Sequence, residues 1–199
     1  MNTPISYSPV TYKKNDGELN STLSNMFADA TYEMSNPVFN KMSGKNIDIV
    51  LLNNGGIRSI ISKGNISEKT AFELMPFENS IVVLELSGLS IIKMIDYLRK
   101  VKLQHPISGL QITLNNDYSV NEVKINGVSI ENEKKYYVAT TDYLLEGADK
   151  MYFLAETTKT TDINYKMRDI LIDYFKKYDT LKLKSDNRFI RIKWIEKPF

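Results

Sequence analysis

The feature that most limits the fold is a pair of strand patterns joined by the dipeptide Asn126-Gly127. Residues 120–125 and 128–130 are rich in apolar and β-branched side chains, and an Asn-Gly dipeptide between two such runs favours a type I′ hairpin turn. The chain also carries amphipathic helix patterns, such as residues 89–100, where Leu89, Ile92, Ile95 and Leu98 share one face. A hairpin mixed with such helices predicts an α+β fold with a mixed sheet and packed helices.

Local patterns predict the other elements. A helix over residues 19–34 should end at Asn36-Pro37, because the residue before a proline avoids the helical conformation. Asp162 is a candidate cap of a last helix that ends near Lys177. The remaining predicted elements are strands at residues 47–52, 81–86, 136–141 and 188–195, a helix over 68–74 capped by Ser67, and a loop with one helical turn at 141–152. Without a repeat or a long linker, the chain is one domain over residues 17–199, preceded by an extended lead-in over residues 1–16.

Composition excludes several classes of function. The chain has 26 Lys and Arg against 24 Asp and Glu, and a net charge of +2 does not indicate nucleic-acid binding. It has no cysteine and a single histidine, so it cannot supply the ligands of a dinuclear metal centre, and no catalytic or metal-binding residue is assigned. That histidine, His105, precedes Pro106 in a predicted loop, and we expect it at the surface.

The sequence leaves the cellular compartment open. No apolar run approaches the ~20 residues that cross a bilayer, and the polar start contains no signal peptide. The protein is therefore cytoplasmic, or a leader or lipid anchor was removed before residue 1.

The segment Asn53-Asn54-Gly55-Gly56-Ile57-Arg58 is the first candidate binding site. It follows a predicted buried strand, and its two glycines permit unusual backbone angles and a close approach of a ligand. Arg58 adds a planar fork of donors that suits phosphate. The alternative interpretation is a structural turn with a solvated arginine, since Gly-rich turns are common.

Two loops each place an aromatic residue beside polar groups: Phe77 with Asn79, and Tyr143 with Asp149. Two loop aromatics can grip a flat base between their faces, and an aspartate can accept hydrogen bonds from sugar hydroxyls. The alternative is that both aromatics are core residues, which is the more common role of such side chains.

Several motifs in this order resemble one family. They are Asn-Asn-Gly-Gly-Ile-Arg at 53–58, Gly-Asn-Ile-Ser at 64–67, Pro-Phe-Glu-Asn at 76–79, Ser-Gly at 87–88, Ile-Ser-Gly-Leu at 107–110 and Tyr-Val-Ala-Thr-Thr-Asp-Tyr-Leu at 137–144. Together they resemble the C-terminal domain of the 5′-nucleotidase and UDP-sugar hydrolase family, over residues 17 to 155.

The resemblance implies a role for each candidate residue. In that family this domain holds the base and sugar of the substrate, and the N-terminal domain holds two metal ions. Two aromatics stack on the base, and Phe77 and Tyr143 match them, with Tyr143 where Phe is usual. The other matches are Asn53, Gly55, Gly56 and Arg58 of the nucleoside- and phosphate-contacting turn, Asn79 of the pocket, and Asp149, which binds the ribose hydroxyls.

Two departures concern the phosphate and ribose ends of this site. The family pattern Gly-Gly-Asp-Gly is here Gly-Ala-Asp-Lys, which ends in Lys150. A family arginine upstream of the first helix would fall near Gly17 and is missing, unless Lys13 or Lys14 replaces it. We therefore expect stronger recognition of base and sugar than of phosphate.

The resemblance leaves three hypotheses. The chain is the substrate-recognition part of a phosphohydrolase, inactive alone, whose divalent metals belong to a separate metallophosphatase chain. Alternatively it is a stand-alone nucleoside- or nucleotide-binding module, or a scaffold whose pocket has decayed. By the same resemblance the expected location is the periplasm or the cell surface.

Overall fold

The computed structural model of the protein describes residues 1–192. Within this range the chain forms ten strands and five α-helices. The strands are β1 (Pro4–Ser8), β2 (Ile49–Leu51), β3 (Gly64–Ser67), β4 (Ser80–Ser87), β5 (Ile107–Ser108), β6 (Leu110–Leu114), β7 (Val120–Ile125), β8 (Lys135–Thr141), β9 (Lys159–Lys166) and β10 (Phe189–Arg191). The helices are α1 (Thr22–Ser43), α2 (Glu68–Leu74), α3 (Gly88–Val101), α4 (Asp142–Leu145) and α5 (Met167–Lys177).

A five-stranded sheet in the order β5-β2-β8-β4-β9 organises the fold. Its strands are mixed in direction: β2 runs parallel to β8, whereas β4 is antiparallel to both β8 and β9. Strand β2 is buried on both faces, which explains its continuous apolar sequence. Because side chains alternate along a strand, Val50 contributes to one core and Ile49 and Leu51 to the other.

Each face of this sheet is covered by its own layer. On one face pack α1, α2 and α5, whose buried residues include Met26, Phe27, Ala71, Leu74, Ile170 and Leu171. On the other pack α3 and a three-stranded sheet in the order β10-β6-β7, whose buried residues include Ile91, Met94, Ile95, Leu98, Leu110, Ile112 and Phe189. The α+β prediction with a mixed sheet and packed helices is confirmed.

Helix α1 does not end at Asn36-Pro37, and that prediction is wrong. The helix continues through Pro37 to Ser43 and ends at Gly44, which has a φ of 69°. Continuing the helix buries Phe39, whose ring centroid lies 5.4 Å from that of Tyr137. This packing offsets the backbone hydrogen bond that a proline removes.

The Asn126-Gly127 turn is confirmed, but the second strand of its hairpin is not. Both turn residues have positive φ, 50° and 81°, as a type I′ turn requires. Beyond the turn only Val128 makes a bridge, to Ile125, and β7 pairs with β6 instead. In the register with β6, Ile125 lies opposite Leu110 and Val123 opposite Ile112, and Leu110 and Ile112 are both buried.

Three other predictions need correction or completion. The buried face of α3 carries Ile91 and Met94 beside Ile95 and Leu98, whereas Leu89 and Ile92 are exposed. Asp162 is not a helix cap, because it lies in β9 opposite Val82, and α5 begins only at Met167. The closing strand is observed at Phe189–Arg191, and residues 193–195 of that prediction lie outside the described residues.

The predicted lead-in takes part in the fold. Strand β1 pairs antiparallel with β3, and the Tyr7 amide donates to the Asp179 carbonyl at 3.0 Å. The Leu181 amide in turn donates to the Tyr7 carbonyl at 2.9 Å. The first strand therefore lies between β3 and the segment after α5; the domain boundary at residue 17 stays a prediction. No described helix is long and apolar enough to cross a membrane.

Candidate functional site

The Gly-rich turn follows directly from β2 and forms one turn of 3-10 helix, Asn54–Gly56. Contrary to our expectation, neither Gly55 nor Gly56 has a positive φ. Their role is spatial: a Cβ on Gly56 would lie 3.0 Å from the side-chain oxygen of Asn53, and one on Gly55 would lie 3.4 Å from its side-chain nitrogen. The glycines thus allow the Asn53 amide to lie across the turn.

Arg58 leaves this turn toward solvent. Its amide donates to the Leu74 carbonyl at 2.9 Å, and its guanidinium carbon lies 5.8 Å from the ring centroid of Phe77. Lys14 donates to the Ile57 carbonyl at 2.9 Å, which places a second cation beside the turn. A side chain at Gly17 would put its Cβ 2.2 Å from the Asn20 carbonyl oxygen, so this backbone cannot accept an arginine there.

Phe77 and Tyr143 are not core residues. Phe77 lies in the loop between α2 and β4 and is 43% exposed, and Tyr143 lies in α4 and is 47% exposed. Both open onto the same cavity. An aromatic residue that keeps nearly half of its surface in water leaves part of its ring available to a ligand.

Asp149 occupies a turn with a strained backbone. Asp149 and Lys150 have φ values of 53° and 61°, a conformation that costs about 1–2 kcal/mol for a residue with a Cβ. Lys150 thus adopts a backbone conformation that glycine favours. The hydroxyl of Tyr97 donates to the Asp149 carbonyl at 2.8 Å and supports this turn from α3.

All eight predicted binding residues line one cavity of about 580 Å³. They come from four segments that the fold brings together: the turn after β2, the α2–β4 loop, α4 and the turn after it. Sequence reasoning missed four further lining residues, which are Met75, Glu78, Asp142 and Glu146. Each is within three residues of a predicted one, so proximity to the motifs was the signal that could have found them.

The cavity is more acidic than the sequence suggested, because Glu78, Asp142, Glu146 and Asp149 line it with Arg58. Glu78 is paired outward with Lys166 and Arg168, and hydrogen bonds from these two cations lower its pKa to about 2. Its charge is therefore present at neutral pH but neutralised by neighbours. The environment favours a ligand that offers hydroxyl and N–H donors.

His105 is buried directly behind the Gly-rich turn, and the prediction of a surface histidine is wrong. Only 2% of its surface is exposed. Its Nδ1 lies 3.2 Å from the Asn54 amide nitrogen, which donates, and 3.3 Å from the Leu52 carbonyl oxygen. Its Nε2 has no hydrogen-bond partner among residues 1–192. The ring thus supports the turn that carries Asn53 and Arg58.

We expect this histidine to make folding stability depend on pH. Burial lowers the pKa of His105, against the opposing effects of the Leu52 carbonyl and the negative Asp149. The unfolded chain then binds a proton first, so stability is full above about pH 6.5 and falls below it by up to about 1.4 kcal/mol per pH unit. Urea unfolding between about pH 7.5 and 5.5 measures this slope.

The variant His105→Asn is the matched control, because its side-chain oxygen can accept from the Asn54 amide without titrating. Its slope should be flatter than that of the wild type over the same range. Since the chain has one histidine, its ring-proton resonance reports the folded pKa without ambiguity. A folded pKa at or above about 6.5 would contradict this account.

The described residues do not fit a metal centre. Across residues 1–192 no three or more His, Cys, Asp or Glu side chains are grouped as metal ligands. The acidic residues of the cavity are engaged with cations and backbone amides or open to solvent, so no chemical step in this chain is assigned to a metal.

The sequence and the fold have relatives among known proteins. Protein UshA of Escherichia coli K12 is 31% identical over 115 residues, which cover 55% of this chain and 20% of UshA. Cell wall protein Lmo0130 of Listeria monocytogenes is 31% identical over 144 residues, covering 65% of this chain and 18% of that protein. The chain therefore matches a fifth or less of these relatives.

Structural similarity extends over the whole chain. The crystal structure of a 5′-nucleotidase precursor from Thermus thermophilus superimposes with a TM-score of 0.82 at 22% identity, covering 100% of this chain and 40% of that one. At this identity the match shows the fold. The family described as "5'-nucleotidase, C-terminal domain" matches residues 5–156. This chain belongs to the 5′-nucleotidase C-terminal domain family.

Proposed function

We propose that this chain recognises the base and ribose of a nucleotide for a 5′-nucleotidase-type phosphohydrolase. The divalent metals and the attacking water would come from a metallophosphatase unit outside these 199 residues. Phe77 and Tyr143 would stack on the base, Asp149 would accept from the ribose hydroxyls, and Asn53, Asn79 and the glycines of the turn would contact the nucleoside.

One observation carries the proposal: four separate segments converge on a cavity of about 580 Å³ that holds two exposed aromatic rings. That volume suits a nucleoside-sized ligand. Apolar surface that is exposed together in one cleft is typical of ligand-binding sites. The acidic lining fits a nucleoside better than a free phosphate.

The cell surface or periplasm is the proposed location. One relative is named a cell wall protein, and the family resemblance points the same way. The alternative function, a nucleoside- or nucleotide-binding module without catalysis, uses the same cavity and differs only in lacking the metallophosphatase unit.

Calorimetric titration of the chain with adenosine, AMP and ribose 5-phosphate tests recognition directly. We expect AMP to bind up to about tenfold more tightly than adenosine, and ribose 5-phosphate to bind at least tenfold more weakly than AMP, because about 1–3 kcal/mol comes from each base stack. Absence of binding by both adenosine and AMP would support the scaffold hypothesis and refute this one.

Arg58→Ala is expected to weaken AMP binding about tenfold and adenosine binding much less. Its guanidinium is exposed at the rim beside Phe77, and a hydrogen bond to a charged group contributes about 1.5–3 kcal/mol. Arg58→Lys, which keeps the charge but not the planar fork, should lie between the two. Equal losses for both ligands would place Arg58 at the base and not at the phosphate.

A reconstitution assay separates the catalytic role from simple binding. The chain is added to a metallophosphatase unit from the family that lacks its own recognition domain, and phosphate release from AMP is followed. A rise in rate that the Phe77→Ala variant fails to produce supports the enzyme role. Binding of AMP without any gain in rate favours the binding module.

A further inference from the structure

The carboxylate of Asp142 joins the two loops that carry the aromatic rings. Its Oδ1 accepts from the Asn79 side-chain nitrogen at 3.3 Å and from the Tyr143 amide at 2.7 Å. Its Oδ2 accepts from the Ser80 amide at 3.1 Å. Both oxygens are thus used, and the bonds reach across 62 residues of sequence to the end of the Phe77 loop.

This geometry follows from the sheet. In the antiparallel pair of β4 and β8, Ile81 lies opposite Thr141, so Ser80 would next lie opposite Asp142. There the chain turns from β8 into α4, and its backbone leaves the sheet. The Asp142 side chain accepts a hydrogen bond from the Ser80 N–H in place of the strand backbone. It thereby extends the ladder between β4 and β8 by one residue pair.

The Phe77 loop is held on its other side by a different set of contacts. The Met167 amide donates to the Asn79 carbonyl at 2.9 Å, and Glu78 is paired with Lys166 and Arg168. These contacts fix the loop against β9 and α5. These contacts do not involve Tyr143. The distance between the Phe77 loop and Tyr143 therefore depends on contacts from α4, where Asp142 lies.

The two rings do not support each other. Among residues 1–192, no ring contact joins Phe77 to Tyr143. Their separation is therefore determined by the backbones that carry them, and Asp142 ties those backbones together. A base held between two faces needs both at van der Waals distance, so a small change in this separation reduces stacking on both sides.

We infer that Asp142 is a positioning residue, which sets the spacing of the Phe77 and Tyr143 faces for a base. This inference rests on the proposed function. Asp142 acts through the Ser80 amide and the Asn79 side chain, and not by touching the base. Loss of its second acceptor oxygen is expected to loosen the site without removing either ring.

The variant Asp142→Asn tests this with adenosine, which is uncharged. In either orientation its amide nitrogen would face a backbone donor, the Ser80 N–H or the Tyr143 N–H, so at least one of the hydrogen bonds to this side chain is lost. We expect the Kd for adenosine to rise about tenfold. Asp142→Glu keeps the charge but displaces the carboxylate by one methylene, and should give a smaller rise in the same direction. Glu146→Gln removes one negative charge from the same cavity and leaves the hydrogen bonds of Asp142 in place. Its change in Kd measures the effect of charge alone and is subtracted from that of Asp142→Asn.

A double-mutant cycle separates positioning from general destabilisation. In the Phe77→Ala background only one of the two rings remains, so the distance between them no longer affects binding. Asp142→Asn should then cause little further loss of adenosine binding. An additive loss would overturn the inference and show that Asp142 acts elsewhere. If wild-type protein binds adenosine and Asp142→Asn binds it equally well, the inference fails and the proposed function stands. If the wild type does not bind, both fail.

Discussion

Replacing Phe77 and Tyr143 together by alanine is expected to abolish measurable adenosine and AMP binding. Each stack on a base contributes ~1–3 kcal/mol, so each single replacement should raise the Kd roughly 5- to 150-fold. The fold should tolerate the change, because nearly half of the surface of each residue is exposed and their removal leaves no enclosed cavity. Calorimetry measures binding, and thermal unfolding confirms that the variants remain folded.

Tyr143→Phe is the matched control for this pair. It keeps the stacking face and removes only the hydroxyl, and should bind adenosine within a few-fold of the wild type. If the double alanine variant bound adenosine as tightly as the wild type, the cavity between these rings would not be the nucleoside site.

Gly109→Ala should destabilise the fold strongly, although it adds a single methyl group. Gly109 joins β5 to β6 with a φ of 73°, and a Cβ there would lie 1.9 Å from the carbonyl oxygen of Asp48. Asp48 directly precedes β2, so backbone must move at the junction of the two larger sheets. We expect a loss of at least about 3 kcal/mol in the free energy of unfolding, measured by urea titration.

Gly127→Ala separates this clash from backbone strain. Gly127 also has a positive φ, 81°, but no atom lies within 4 Å of the position that its Cβ would take. Its replacement should therefore cost only the strain of the left-handed conformation, about 1–2 kcal/mol. Equal losses for the two variants would show that the Asp48 carbonyl moves aside at little cost.

Local motifs predicted eight of the residues that line the cavity. The Gly-rich turn, Phe77 and Tyr143 were recognisable because each motif consists of neighbouring residues whose chemistry is apparent from the sequence. Helix α2 and its capping residue Ser67 were found for the same reason, since a cap and its helix are adjacent.

Contacts between distant residues could not be predicted in this way. Glu78 pairs with Arg168 across 90 residues, and no local pattern indicates that pairing. The burial of His105 and the passage of α1 through Pro37 likewise depend on which surfaces meet in three dimensions. Tertiary packing overrode the local preferences of these residues, as it did for Leu89 and Ile92, which helical spacing alone placed on the buried face.

The pairing of the first strand with the segment after α5 constrains the order in which the chain can fold during synthesis. The Tyr7 amide donates to the carbonyl of Asp179, far along the chain, and the Leu181 amide donates to the Tyr7 carbonyl. A ribosome makes the chain from its amino end, so β1 must wait for the segment after α5 before it gains this neighbour. Strand β1 is thus synthesised long before the segment that encloses it, and this part of the fold is completed only after α5 has been made.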